Sequence, residues 1–258
     1  MSQAVQDDLY FRPPSEADSF IIRVMRGCSH NKCTFCDMFK GVPFSVLPLD
    51  DILRGIDRDA EELGRYVPMV KSMYLEGGDP LALPTDTLLA VMLHARERFP
   101  ALNRFACYAT ARSTIRKTGG ELASLAGCGL RRVFTGLESG SDAILAATRK
   151  GCARADIIRA NTLLASAGIE NDVSMMLGIG GPPLSEQHAK ETAGLLNAIR
   201  PACVRIRTFL PRAGPPTGDD FLAGRLVLLE PHDILRELRL MVAHIASPLL
   251  PLRALLHL

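Results

Sequence analysis

Short β-branched runs recur along this chain, each followed by a longer stretch with helical spacing, and no other feature constrains the fold as strongly. Strands are expected at 19–24 (SFIIRV), 70–76 (VKSMYLE), 104–110 (RFACYAT), 131–138 (RRVFTGLE), 170–177 (ENDVSMML) and 203–209 (CVRIRTF). Helical patterns fill 50–65, 85–98, 117–127, 141–147, 154–167 and 185–199, with a last one at 231–245. Asp50 and Thr85 are expected to cap the first two. Alternating β and α units imply parallel strands joined by right-handed crossovers. Six such units fit either an incomplete (β/α)6 barrel or an open doubly wound sheet, and strand count alone does not choose between them.

Composition narrows the class. Of 258 residues, 47% are hydrophobic and 22% charged, which argues against a disordered chain. Lys plus Arg is 30 against 28 Asp plus Glu, a net charge of +2, so nothing electrostatic points to nucleic acid as a partner. Tryptophan is absent and aromatics are 5%, leaving little for base stacking. The start, MSQAVQDDLYFRPPSEAD, lacks the apolar stretch of a signal peptide. No run reaches the ~18 apolar residues of a membrane span. The nearest, ASPLLPLRALLHL, is broken by Pro248, Pro251 and Arg253. Seven cysteines in a chain this long read as reduced thiols of the cytoplasm or as metal ligands rather than a disulfide framework. The organisation expected is a flexible N-terminal arm over 1–18 and a single core domain over 19–258.

Three of the cysteines stand apart. Cys28, Cys33 and Cys36 lie in GCSHNKCTFC, a C-x4-C-x2-C spacing directly after the first expected strand. A structural zinc site needs four closed ligands. His30 could be the fourth, but its place inside the loop makes chelation awkward. Thiolate is the natural ligand of iron–sulfur clusters, so a cluster is the better occupant. Cys107, Cys128, Cys152 and Cys203 are scattered singly and read as small buried hydrophobes. A 4Fe–4S cluster on three cysteines keeps one iron without a protein ligand, the open position that a catalytic centre needs.

In parallel α/β folds, active sites form at the C-terminal ends of strands. The second strand ends in EGGDP (Glu76–Pro80), whose paired glycines allow close backbone approach or simply serve a turn. The third runs into Thr110, Arg112 and Ser113, placed to meet a ligand or to cap a helix. The fourth ends in GLESGSD, where Glu138 suits ribose hydroxyls and Ser139 or Ser141 suits a helix cap. The fifth ends in MMLGIGGPP, with Gly178, Gly180 and Gly181 leaving room for a flat heterocycle. The sixth carries Arg205 and Arg207 on one face, two cations that call for an anion or a wet cavity.

The series CSHNKCTFC, EGGDP, YATARS, GLESGSD and MMLGIGG, in this order over about residues 20–210, resembles the radical S-adenosylmethionine (SAM) enzymes. It is most similar to the subgroup of oxygen-independent coproporphyrinogen oxidases, methylthiotransferases and the Elongator-type radical domain. The resemblance implies an incomplete parallel (β/α)6 barrel, a partial TIM barrel. It implies a 4Fe–4S cluster on Cys28, Cys33 and Cys36, with S-adenosyl-L-methionine chelated to the remaining iron. Gly77, Gly78 and Asp79 would contact the methionyl amino group, and Arg149 or Arg205 its carboxylate. Phe35 would flank adenine, Glu138 and Ser139 would bind ribose, and Gly178, Ile179, Gly180 and Gly181 would contact adenine. It also implies a one-electron donor such as flavodoxin or ferredoxin, and a substrate bound by barrel loops, by the N-terminal arm or presented by a partner protein. The first loop gap is one residue longer than the family's common C-x3-C-x2-C. The rival reading is a non-catalytic iron–sulfur or zinc protein for electron transfer or sensing, with a saturated site and no cosubstrate.

Overall fold

The computed structural model describes residues 10–246 and 250–255. The first strand is β1 (Phe20–Arg23), followed by a small antiparallel pair, β2 (Met25–Arg26) with β3 (Ser45–Val46). Then come α1 (Leu49–Leu63), β4 (Ser72–Glu76), α2 (Thr85–Arg98) and β5 (Arg104–Ala109). A short α3 (Ala111–Thr114) and α4 (Gly119–Cys128) lead into β6 (Leu130–Glu138). Next are α5 (Asp142–Ala147), α6 (Arg154–Ser166), β7 (Glu170–Leu177) and α7 (Gly181–Ile199). The chain continues through β8 (Cys203–Thr208), α8 (Pro216–Leu222), α9 (Pro231–Ala243) and β9 (Leu252–Leu255).

Seven strands form one sheet in the order β1-β4-β5-β6-β7-β8-β9. β4 pairs in parallel with β1 and β5, and β8 with β7 and β9. Sheet order follows chain order with no reversal, whereas a doubly wound sheet has a switch point. The two edge strands, β1 and β9, are not paired with each other, so this is the open, incomplete barrel expected, with one strand more than six. The extra strand is β9, in the stretch after the last expected helix where no strand was expected.

Two helix starts differ from the expected caps. Pro48 precedes α1 and Pro84 precedes α2, so Asp50 and Thr85 fall inside their first turns. Proline's fixed φ suits a helix entry, and Asp50 still favours the positive end of the helix dipole. α7 starts at Gly181 rather than near 185, because Pro182 and Pro183 occupy its first turn, where a missing N–H costs nothing. α4 begins on Gly119 and Gly120 despite their poor propensity. Thr118 and Glu121 cap it reciprocally, each side chain bonding the other's backbone N–H.

The chain folds as two compact units. The first comprises residues up to 29, 41–134 and 163–170. Its core sets Met73, Leu75, Phe105, Cys107 and Val133 against Ile52 and Ile56 of α1, Leu88 and Met92 of α2, and Leu122 of α4. Each such buried side chain contributes about 1.5–3 kcal/mol. The period-2 pleat turns Tyr74, Ala106 and Phe134 to the opposite face, where they join Tyr108. The described part of the arm, 10–18, makes defined contacts with the first unit. Glu16 is buried and takes a two-pronged bond from Arg104 at 2.9 and 2.7 Å, and Arg23 lies over the Tyr10 ring. Residues 1–9 of that arm lie outside the described residues.

The second unit comprises 30–40, 135–162 and 171 onward. Its strands bury Val173, Met175, Leu177, Val204 and Ile206. α9 packs along α7. A smaller cluster joins Ile144, Ile179 and Phe209 with the partly buried Phe35 and Met176.

Candidate active site

In the first unit, the end of β4 seats the start of the cysteine loop. The Gly78 N–H donates to the Gly27 carbonyl at 2.9 Å. A Cβ on Gly78 would lie 2.6 Å from Cys28 Cβ and 2.7 Å from Cys28 Cα, so only glycine lets Cys28 rest there. Gly77 sits at φ +145° with Met25 packed into the space a side chain would need. These glycines, expected to open backbone to a ligand or to serve a turn, seat the loop that carries Cys28.

Asp79 follows and is almost fully buried. Its oxygens accept from Ser29 Oγ at 3.0 Å, Thr110 N at 3.1 Å, Thr110 Oγ1 at 3.0 Å and Ser113 Oγ at 2.6 Å. Burial pushes its pKa up, and these donors pull it back. Asp79, expected near the methionyl amino group, ties the cysteine loop to β4 and to the Thr110–Ser113 turn. Glu76, also buried, is held by Arg23 Nε at 2.9 Å and Phe11 N at 3.3 Å.

In the second unit, Cys33 and Cys36 lie on the segment 30–40. Burial pushes the Cys36 thiol up to about 11. Glu138 ends β6 at φ +63°, a left-handed conformation that costs a non-glycine residue about 1–3 kcal/mol. Its Oε1 accepts from Lys150 Nζ at 2.9 Å. Its Oε2 is buried and meets no hydrogen-bond donor among the described residues. Burial alone would lower the Lys150 pKa, but the Glu138 carboxylate outweighs it and holds the ammonium charged. Gly136 makes room for this pair, because a Cβ there would come 2.2 Å from Glu138 Oε1 and 2.8 Å from Lys150 Nζ. The ammonium also stands 5.7 Å from the centre of the Phe35 ring. Neither Lys150 nor Gly136 was singled out in the sequence.

Ser139, expected at ribose, is fully buried and already bonded. It lies 2.8 Å from His188 Nδ1 and accepts from Ser141 N at 3.0 Å. His188 Nε2, 3.0 Å from the Met176 carbonyl, is the ring's donor, which leaves Nδ1 to accept. Burial pushes His188 down to about 4, so the ring is neutral. Phe35 and Ile179, both expected near adenine, do share one cluster. Around Ile179 the glycines pack tightly inside the protein: Gly178 N donates to Glu237 Oε1 at 2.7 Å, and a Cβ on Gly180 would come 2.7 Å from Ile144. Gly181 opens α7. Arg205 Nη2 lies 3.9 Å from Asp172 Oδ2, while Arg207 and Arg149 are exposed.

All seven cysteines are free thiols. Cys28, Cys33 and Cys36 are partly exposed, whereas Cys107, Cys128 and Cys203 are buried as expected of small hydrophobes; Cys152 is partly exposed. Among the described residues, no trio of His, Cys, Asp or Glu closes as a single metal ion would require. A four-iron cube spreads its ligand sulfurs more widely than one ion does. The accessible thiols and the one-sided Glu138 carboxylate fit a cluster with a hydroxyl-bearing ligand beside it. Among the described residues, no helix is long and apolar enough to cross a membrane.

The sequence pattern of the Radical SAM superfamily matches residues 22–196, and the chain belongs to that superfamily of enzymes. Its members use a 4Fe–4S cluster and S-adenosylmethionine. None of the curated proteins matches the chain in sequence. Among solved structures, coproporphyrinogen III oxidase (HemN) from Escherichia coli, a radical SAM enzyme, superposes with a TM-score of 0.62 at 14% identity, over 87% of this chain and 51% of that one. Methylornithine synthase (PylB) gives a TM-score of 0.58 at 18% identity, over 88% and 62%. The archaeal Methanocaldococcus infernus Elp3 with an N-terminal deletion gives 0.56 at 16%, over 92% and 56%. The likeness is one of fold, and the chain spans about half to three-fifths of their length.

Proposed function

We propose that this chain holds a 4Fe–4S cluster on Cys28, Cys33 and Cys36, binds S-adenosyl-L-methionine beside it, and abstracts hydrogen from a substrate. When bound, the cluster and cosubstrate supply one-electron cleavage of the sulfonium, giving methionine and a 5′-deoxyadenosyl radical that takes the hydrogen atom. Glu138 carries this reading furthest. A buried carboxylate with one oxygen on Lys150 and the other unpartnered awaits a donor, and ribose hydroxyls are donors. Lys150 keeps that carboxylate oriented. Phe35 and Ile179 offer an apolar surface suited to adenine. Gly77, Gly78 and Asp79 support the site by holding Cys28 and Ser29 in place. The seven free thiols suit the reducing cytoplasm.

Anaerobic reconstitution tests this. The protein should take up about four irons and, with dithionite, convert S-adenosylmethionine to 5′-deoxyadenosine detectable by mass spectrometry. Cys28→Ala, Cys33→Ala or Cys36→Ala should each abolish both. A cluster that forms without cosubstrate binding would instead favour the electron-transfer reading.

A further inference from the structure

The segment that carries Cys33 and Cys36 also forms one wall of a cavity of about 880 Å³ in the second unit. His30, Lys32 and Lys40 lie on this wall, and Arg149 and Cys152 face them from the chain between α5 and α6. The lining holds three fixed cations, Lys32, Lys40 and Arg149, against one carboxylate, Asp142. That surplus equals the net charge of the entire chain. Asp142 is already in use, accepting from Arg154 N at 2.6 Å. Lys32 and Arg149 are exposed and make no ion pair among the described residues.

The walls are held rigidly. His30 Nε2 lies 2.7 Å from the Arg149 carbonyl, and its ring fills the place where a Gly151 Cβ would lie, 2.4 Å from His30 Cε1. Lys40 Nζ donates to the Asn31 carbonyl at 3.0 Å, bracing the loop across its base.

Two kinds of anion could meet this charge. A small-molecule site is concave and mostly apolar, with a few placed polar groups. Here much of the lining is exposed, no Phe, Tyr or Trp takes part, and the leading cations, Lys32 and Arg149, are exposed side chains. Such a surface suits a transient protein contact steered by charge, as redox partners use. We propose that this cavity is the docking site of an acidic one-electron donor protein, whose carboxylates meet Lys32, Lys40 and Arg149. The proposal rests on the cluster reading above. One electron leaves the donor, oxidising its cofactor by one, and enters the cluster, reducing it by one; no atom changes hands.

The test uses the full chain with its cluster reconstituted and an acidic flavodoxin as probe. Cluster reduction is followed by stopped-flow absorbance, and binding of oxidised flavodoxin to cluster-free chain is measured separately. Lys32→Glu, with iron content unchanged, should slow flavodoxin reduction about tenfold at low salt and weaken binding in parallel. The difference should shrink as salt screens the charges. Reduction by dithionite should not change, and Lys32→Ala should give a smaller effect of the same sign. Equal flavodoxin rates and salt slopes in wild type and both variants would overturn the proposal while leaving the cluster reading intact. So would inorganic phosphate that saturates the cavity without slowing the donor, which assigns the site to a small anion. A wild-type chain that takes up no cluster removes the reading beneath the proposal, and the proposal with it.

Discussion

Two strand ends, one in each unit, carry a buried carboxylate, and they are built in opposite ways. Asp79, just past β4, accepts four hydrogen bonds from Ser29, Thr110 and Ser113. Glu138, at the end of β6, accepts one from Lys150 and leaves its second oxygen bare. Both sit where a parallel sheet gathers its ligands. The saturated group holds the protein together, because anything further it bound would compete with an existing donor. The half-used group has free acceptor capacity and a strained backbone that a purely structural residue would not need.

The largest effect is expected on the saturated side. Gly78→Ala drives a Cβ into Cys28. Overpacking of this kind costs about 1–3 kcal/mol, which as lost iron affinity is about 5- to 150-fold. Iron analysis after anaerobic reconstitution checks it, and full loading would show that Cys28 can move aside freely. Asp79→Asn should come next. It turns an acceptor-only group into one with its own N–H donors facing Ser29, Thr110 and Ser113. We expect a loss of about 1–2 kcal/mol, read from denaturant midpoints, with cosubstrate affinity in the folded fraction kept. Normal stability with lost affinity would make Asp79 ligand-facing and erase the contrast. The smallest effect belongs to Glu138→Gln. The amide oxygen can still accept from Lys150, but hydrogen bonds to a charged acceptor are lost, so cosubstrate affinity should fall roughly 2- to 30-fold. Its midpoint should shift less than that of Asp79→Asn; a larger shift would place Glu138 among the scaffold residues.

Much of this was legible in the sequence. All six expected strands and seven expected helices are present, because apolar periodicity reports which face is buried. The caps expected at Asp50 and Thr85 and the helix start expected at 185 were misplaced for one cause: a proline that reads as a breaker serves as an entry. Residue types at the site were legible too, but not their allegiance. Nothing local tells that Asp79 is bonded from positions 29, 110 and 113, or that the Ser139 hydroxyl is committed to His188, 49 residues on. Lys150 follows Glu138 by 12 residues with no motif between them. The one local hint was Gly136, small in a strand of larger residues, which marks the room that the pair occupies.

The last strand has a bearing on how the molecule avoids others of its kind. β9 covers β8, and the Val204 N–H meets the Pro251 carbonyl at 2.9 Å. Without β9, β8 would offer a row of bare amides and carbonyls to any passing chain. β9 is itself a poor template for further growth. It is four residues long, starts against a proline that has no N–H to give, and carries an exposed arginine. Pro251 and Arg253, which break the apolar run, are therefore also the features that let the sheet stop there without inviting aggregation.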